Sequence, residues 1–154
     1  MMTKLCSDVM QALQGKTLVT AESLTGGGIG AALTAVPGAS DVFKGGVICY
    51  MDQVKERILG VSPDVLESDG AVSAPTAEAM ALGVRRLLAA DVAVSVTGLA
   101  GPGGDDFGHP VGTVYIGFSN GKKTLVKECY FDGSREEIRN QTSSGALLLV
   151  LENI

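Results

Sequence analysis

The chain has 154 residues, of which 45% are hydrophobic, and this size and composition predict one domain over residues 1–154. Its formal net charge of −5 opposes nonspecific binding to nucleic acid, which depends on clustered basic side chains. No apolar run reaches the roughly 20 residues that span a bilayer, and no secretory signal is evident. We therefore expect a soluble cytoplasmic protein without a membrane or nucleic-acid partner.

Helical spacing of apolar residues recurs along the chain. Pro75 suits the first turn of a long alanine-rich helix, and Ser134, followed by two glutamates, is typical of a helix N-cap. The helices are predicted from about residue 5 to Gly15, and over 29–36, 53–59, 63–68, 75–90 and 138–151.

Short apolar and β-branched runs predict five strands. Asn120-Gly121 between the last two is a strong hairpin signal, so this pair must be antiparallel. Strands that alternate with helices and end in one hairpin indicate an α/β fold, a three-layer α/β/α sandwich with a mixed, mostly parallel five-stranded sheet. The strands are predicted over 17–20, 42–50, 92–96, 111–118 and 124–131.

Cysteine and histidine provide little for metal or disulfide chemistry. Cys6, Cys49 and Cys129 are odd in number and form no Cys-x-x-Cys pair, which is typical of reduced thiols that fill a core. The single histidine, His109, lies in a predicted loop with no evident carboxylate to orient it. We expect no metal site and a structural or solvent-exposed role for His109.

Polar residues follow the ends of the first three strands. Ser23 follows the first, Tyr50 with Lys55 close behind follows the second, and Thr97-Gly98 follows the third. Open α/β sheets bind ligands at the carboxyl ends of their strands, so these residues are expected to converge. The loop 100–110 is the candidate rim of this site.

A serine at this position needs a base before it can act as a nucleophile. A neutral Lys55 is the natural choice, and it can take the Ser23 proton directly or through the phenol of Tyr50. Taken singly, each residue also fits an ordinary role: Ser23 as a helix cap, Tyr50 in packing and Lys55 as a solvated charge. Cys49 is expected on the opposite face of the sheet, which disfavours it as the nucleophile.

Five motifs, taken in order, resemble those of the CinA C-terminal domain family. The resemblance extends from about residue 18 to the last helix. The motifs are AESLTGG at 21–27, GGVICYMDQVK at 45–55, GAVS at 70–73, TGLAGPGG at 97–104 and PVGTVY at 110–115.

The resemblance implies a nicotinamide-nucleotide amidase, which hydrolyses nicotinamide mononucleotide to nicotinic acid mononucleotide and ammonia. The family's nucleophile, proton relay and general base fall on Ser23, Tyr50 and Lys55. Neither a metal nor a cofactor is implied, because the nucleotide is itself the small-molecule substrate. Backbone N–H groups near Thr25, Gly26 and Gly27 are expected to hold the oxyanion. The remaining substrate-binding candidates are Thr97, Gly98, the loop from Gly101 to Gly104, and Arg139.

The sequence also departs from the family pattern. Members often form the second half of a longer protein whose first half resembles molybdopterin-binding modules, and this chain resembles the stand-alone form. Residues 73–75 and the insertion 105–109 differ from the pattern and bear on substrate fit. By resemblance we expect a homo-oligomer. Two alternatives stay open: a catalytically silent nucleotide-binding or assembly module, and an amidase for another small carboxamide.

Overall fold

The computed structural model describes residues 1–154. The strands are β1 (Leu18–Glu22), β2 (Phe43–Ile48), β3 (Val92–Gly98), β4 (Thr113–Ser119) and β5 (Thr124–Tyr130). The helices are α1 (Met2–Ala12), α2 (Gly28–Thr34), α3 (Asp52–Leu59), α4 (Pro63–Ser68), α5 (Ala74–Leu87) and α6 (Arg135–Glu152). All predicted strands and helices are present, and a short 3-10 helix at Ala39–Asp41 lies between α2 and β2.

The five strands form one sheet in the order β2-β1-β3-β4-β5. β1 pairs in parallel with β2 and β3, whereas the β3–β4 and β4–β5 pairs are antiparallel. Only β4 therefore runs against the other four strands. The predicted mixed, mostly parallel sheet is confirmed.

Helices cover both faces of the sheet because successive side chains of each strand point to opposite faces. Leu18 of β1 joins a core of 22 buried residues that includes side chains of α1, α2 and α6. The next residue, Val19, joins a second core of nine buried residues with side chains of α3 and α5. The predicted three-layer sandwich follows from this alternation.

Two of the boundary differences lie next to the predicted site. β1 continues to Glu22 because Ala21 and Glu22 pair on one side with β2 and on the other with β3. β3 likewise extends through Thr97 and Gly98, which pair with β4. No helix combines the length and apolar character needed to cross a membrane.

Candidate active site

A cavity of about 630 Å³ opens at the carboxyl ends of β1, β2 and β3. Parallel strands end at the same edge of a sheet, and this edge is where open α/β sheets bind ligands. The predicted residues Ser23, Tyr50 and Lys55 all line the cavity, as does much of the loop 100–110. Of the predicted substrate-binding residues, Thr97, Gly98 and Gly101 line it, whereas Thr25, Gly26, Gly27 and Arg139 do not.

The turn that carries Ser23 is built around the buried carboxylate of Glu22. One carboxylate oxygen accepts hydrogen bonds from the Thr25 hydroxyl at 2.6 Å and the Ile29 N–H at 2.9 Å. The other accepts from the Gly30 N–H at 3.0 Å. Helix α2 has no side-chain cap at its N-cap residue, so Glu22 satisfies first-turn donors and neutralises the positive helix end. The sequence prediction missed this role, although a glutamate in the turn that leads into a glycine-rich helix start without a capping side chain is its signal.

Gly26 and Gly27 shape the turn instead of lining the cavity. Their φ angles of +59° and +98° lie in the left-handed region that favours glycine. The Gly26 N–H donates to the Ser23 carbonyl at 3.1 Å and is therefore unavailable to an oxyanion. The Leu24 N–H has no acceptor within the chain, and Leu24 lines the cavity. The Thr25 and Gly27 N–H groups also have no acceptor within the chain, but these residues do not line the cavity, so Leu24 carries the unpaired backbone donor at the cavity.

Lys55 lies next to the turn that carries Ser23, and only 1% of its surface is exposed. Its Nζ lies 3.0 Å from Ser23 Oγ, 2.8 Å from the Cys49 carbonyl oxygen and 3.1 Å from the Tyr50 carbonyl oxygen. Helix α3 starts directly after β2 and directs the lysine back toward β1. The ordinary alternative for Lys55, a solvated helix charge, is therefore wrong.

The surroundings of Lys55 make loss of its proton easier. Burial lowers the pKa of the ammonium from its ordinary value of 10.5, although the side chains of Cys49, Asp52 and Tyr50 oppose part of this change. A neutral amine has two N–H donors and one lone pair. Since two carbonyl oxygens accept the N–H groups, the lone pair remains for the hydroxyl proton of Ser23. This arrangement can accept a proton from the serine without an intermediary.

The phenol of Tyr50 takes a different position from the one expected of a proton relay. The residue is 57% exposed, and its hydroxyl accepts a hydrogen bond from Arg135 Nη2 at 3.3 Å. Only the backbone carbonyl of Tyr50 contacts Lys55. The structure brings Lys55 and Ser23 together directly, and the phenol lines the cavity beside them.

Arg139 binds the turn that carries Ser23 from outside the cavity. Its Nε donates to the Leu24 carbonyl at 3.0 Å, and its Nη2 donates to the Thr25 carbonyl at 3.1 Å. Arg135, one helical turn earlier on α6, lines the cavity and donates to the Gly101 carbonyl at 2.6 Å. Arg139, the predicted anion-binding residue, thus binds the turn through Nε and Nη2 and does not line the cavity, whereas Arg135 does.

Thr97 and Gly98 form the end of β3 at the wall of the cavity. The Thr97 hydroxyl donates to the Ala71 carbonyl at 2.8 Å, so it is already partnered. A Cβ on Gly98 would lie 2.6 Å from the Thr113 carbonyl oxygen, which requires glycine here. Both residues shape the cavity through the backbone of β3.

His109 is oriented by a carboxylate, contrary to expectation. Its Nδ1 lies 2.6 Å from Asp105 Oδ2, and its ring packs edge-on against Tyr115. The pair lies in the loop 100–110, and Asp105 but not His109 lines the cavity. A structural role for His109 agrees with this geometry.

The three cysteines differ in burial. Cys6 and Cys49 are fully buried, as expected of core residues, whereas Cys129 is half-buried. Burial raises the pKa of the Cys49 thiol to about 11, although the nearby Lys55 acts to lower it. A thiol with this pKa is a poor nucleophile at neutral pH. Nowhere do three or more His, Cys, Asp or Glu side chains come together as a candidate metal site.

Fold and cavity together define an α/β protein with a buried serine–lysine pair at the carboxyl edge of its sheet. The model of the CinA C-terminal domain family matches residues 2–154. The chain belongs to this family, and the resemblance found in its motifs is confirmed.

Known relatives support the same assignment. The chain is similar to a CinA-like protein from Synechocystis sp., with 55% identity over 70% of this chain and 26% of the relative. It is 47% identical to a CinA-like protein from Solibacter usitatus over 90% of this chain and 33% of the relative. The chain thus spans about a third or less of the length of these curated relatives.

Solved structures have the same fold over nearly the whole chain. The competence damage-inducible protein A from Klebsiella pneumoniae has a TM-score of 0.96 and 34% identity, with 99% of this chain and 96% of that chain covered. A CinA superfamily protein from Escherichia coli has a TM-score of 0.97 and 33% identity, with 100% and 91% covered. The cavity therefore lies in a fold that this family shares.

Proposed function

We propose that this protein is an amidohydrolase that converts nicotinamide mononucleotide to nicotinic acid mononucleotide and ammonia. The observation that carries the proposal is the 3.0 Å separation of Lys55 Nζ and Ser23 Oγ, with two carbonyl oxygens accepting the other amine protons. This is the geometry of a serine nucleophile with an adjacent base. Family membership and the motif resemblance point to the carboxamide of this nucleotide as the substrate.

Acylation begins when Ser23 Oγ attacks the carboxamide carbon and its proton passes to Lys55 Nζ. The carbonyl oxygen becomes an oxyanion, and the Leu24 N–H is the candidate donor that stabilises it. Lys55 then gives its proton to the amide nitrogen, the carbon–nitrogen bond breaks and ammonia leaves. The product of this half-reaction is an ester between Ser23 and the nicotinoyl group.

Deacylation uses the same groups with water as the nucleophile. Lys55 takes a proton from water as the water oxygen attacks the ester carbon. The tetrahedral intermediate collapses, the Ser23 oxygen leaves and recovers its proton from Lys55, and the carboxylic acid is released. The protons balance, because Lys55 is a neutral amine again at the end of each half-reaction.

Arg135 is the candidate for binding the phosphate of the substrate. Its guanidinium lines the cavity and is partly committed to the Gly101 carbonyl and the Tyr50 hydroxyl. Tyr50 therefore acts in this proposal by orienting Arg135 and lining the cavity, and Lys55 transfers the serine proton directly. No metal or cofactor enters any step of this chemistry.

The test is release of ammonia from nicotinamide mononucleotide by the purified protein. Wild type is expected to turn over, and Ser23→Ala and Lys55→Ala are each expected to lose activity by at least a hundredfold. Cys49→Ala, which removes a neighbouring side chain but keeps the carbonyl that Lys55 uses, is the matched control. Unchanged turnover in both site variants would refute the mechanism. Stabilisation by the nucleotide without turnover would favour a silent binding module, and release from a different carboxamide would favour another amidase.

A further inference from the structure

The insertion at 105–109 is an ordered turn folded around one carboxylate. Asp105 Oδ1 accepts hydrogen bonds from the Phe107 N–H at 3.2 Å and the His109 N–H at 3.0 Å. Its other oxygen, Oδ2, lies 2.6 Å from His109 Nδ1. Burial acts to raise the pKa of Asp105, but the hydrogen bonds from His109 outweigh it and hold the pKa below its ordinary value. The turn is thus organised around an ionised carboxylate.

This turn presents Phe107 at the wall of the cavity. Gly70 has a φ of +81°, and a Cβ at that position would lie 2.6 Å from Phe107 Cε2, so the ring lies directly against the glycine. Phe107 is nevertheless 47% exposed, and it lines the same cavity as Ser23 and Lys55. The ring therefore has one supported side and an open surface toward the cavity.

We propose that Phe107 is a substrate-positioning residue whose open ring surface stacks on the heteroaromatic ring that carries the reacting carboxamide. The inference rests on the proposed function. A ring held in place by Gly70 and by the Asp105-centred turn loses little freedom when a flat ligand stacks on it. Stacking positions the carboxamide, and Ser23 and Lys55 carry out the reaction.

The charges around Phe107 favour a ring over a phosphate at this wall. Asp105 and Asp106 precede it in the chain, and both line the cavity. Two carboxylates repel a phosphate, whereas they tolerate a neutral ring and attract a positively charged one. The guanidinium of Arg135 is left as the anion-binding group of the cavity.

Binding of nicotinamide mononucleotide to a Ser23→Ala protein, measured by calorimetry, tests the inference without turnover. Adding Phe107→Leu is expected to weaken binding roughly tenfold, the scale of a lost stacking contact. Phe107→Tyr is expected to restore wild-type affinity. Tyr130→Leu is the matched control, because Tyr130 is 66% exposed and lies outside the cavity. Ribose 5-phosphate, which lacks the ring, is expected to bind all variants equally.

In the active protein, Phe107→Leu is expected to raise KM with kcat within about twofold of wild type, because the residue touches no reacting atom in the mechanism. Equal affinity of the leucine and phenylalanine proteins for the nucleotide would overturn the stacking inference while leaving amidase activity intact. Absence of ammonia release by wild type would instead overturn the proposed function. In that case the affinities of the Phe107→Leu and Phe107→Tyr proteins for the nucleotide still decide the role of Phe107. If no binding is detectable, both the stacking inference and the proposed function are overturned.

Discussion

The hydroxyl of Thr25 donates a 2.6 Å hydrogen bond to the carboxylate of Glu22, closing the turn that holds Ser23 between them. The same carboxylate accepts two backbone N–H groups at the start of α2. A buried side chain that does not line the cavity therefore fixes the turn that carries the serine.

Glu22→Gln is expected to lower both stability and turnover. The carboxylate of Glu22 accepts these hydrogen bonds with two oxygens, whereas the glutamine amide has only one acceptor oxygen. We therefore expect a loss of about 2 kcal/mol in the free energy of unfolding. Turnover should fall because the serine and the Leu24 N–H lose their fixed positions. Denaturant titration and the ammonia assay measure the two effects. Glu78→Gln, the same change at an exposed position of α5, should alter neither. An unaffected Glu22→Gln protein would contradict this role.

Activity is expected to depend on the protonation of Lys55. Because burial lowers the pKa of its ammonium below 10.5, kcat/KM should rise with pH as one proton is lost from this group, and fall on the acidic side. Lys55→Arg should be inactive across the whole range, since a guanidinium does not deprotonate in proteins. A pH profile of ammonia release for both proteins provides the measurement. An active arginine variant would exclude Lys55 as the base.

Stability should change with pH through the same group, with a defined sign. The pKa of Lys55 is lower in the folded than in the unfolded chain, so the unfolded chain binds more protons between the two values. The free energy of unfolding of wild type should therefore rise, relative to Lys55→Met, as the pH increases toward about 10.5. Urea titrations of the two proteins at neutral and alkaline pH measure this difference. A difference that stays constant with pH would contradict the burial effect.

The two arginines of α6 are expected to affect different kinetic constants. Arg139→Gln removes a guanidinium that binds two turn carbonyls, so kcat should fall about tenfold with little change in KM. Arg135→Gln removes the cation that lines the cavity, so KM for the nucleotide should rise instead. Steady-state kinetics separate these outcomes. Arg86→Gln, an exposed arginine on α5, should resemble wild type. The opposite pattern would return Arg139 to the role of anion-binding residue.

Thiol labelling should follow burial. In the folded protein Cys129 is expected to react first, whereas Cys6 and Cys49 should react only after unfolding. Mass spectrometry of the alkylated protein identifies the order. Early modification of Cys49 would show that the segment between β2 and α3, which contacts Lys55, opens readily. Such a result would contradict the fixed geometry of Lys55 and Ser23 described above.

Sequence patterns predicted the fold because each element carries a local signal. Leu18 and Val19 alternate between the two cores, and the Asn120-Gly121 turn defines the final antiparallel pair. The ends of β1 and β3 were less predictable. Their last residues are ordered by pairing with neighbouring strands, a contact between distant segments that no local pattern encodes.

The site was predictable to the extent that it lies at strand ends. The positions of Ser23 and Lys55 after β1 and β2 led to their expected convergence, and the structure places them together. Arg135 and Arg139 are one helical turn apart on α6, so their spacing alone does not decide which reaches the cavity. The pairing of Asp105 with His109 depends on how an irregular loop folds, and no periodicity describes such a loop.

The hold of Arg139 on the Leu24 and Thr25 carbonyls links segments more than a hundred residues apart. Arg139, which fixes the turn, is therefore translated more than a hundred residues after Ser23. During synthesis on the ribosome, the Ser23 hydroxyl therefore reaches its final position only when α6 has left the ribosome and packed against the rest of the fold.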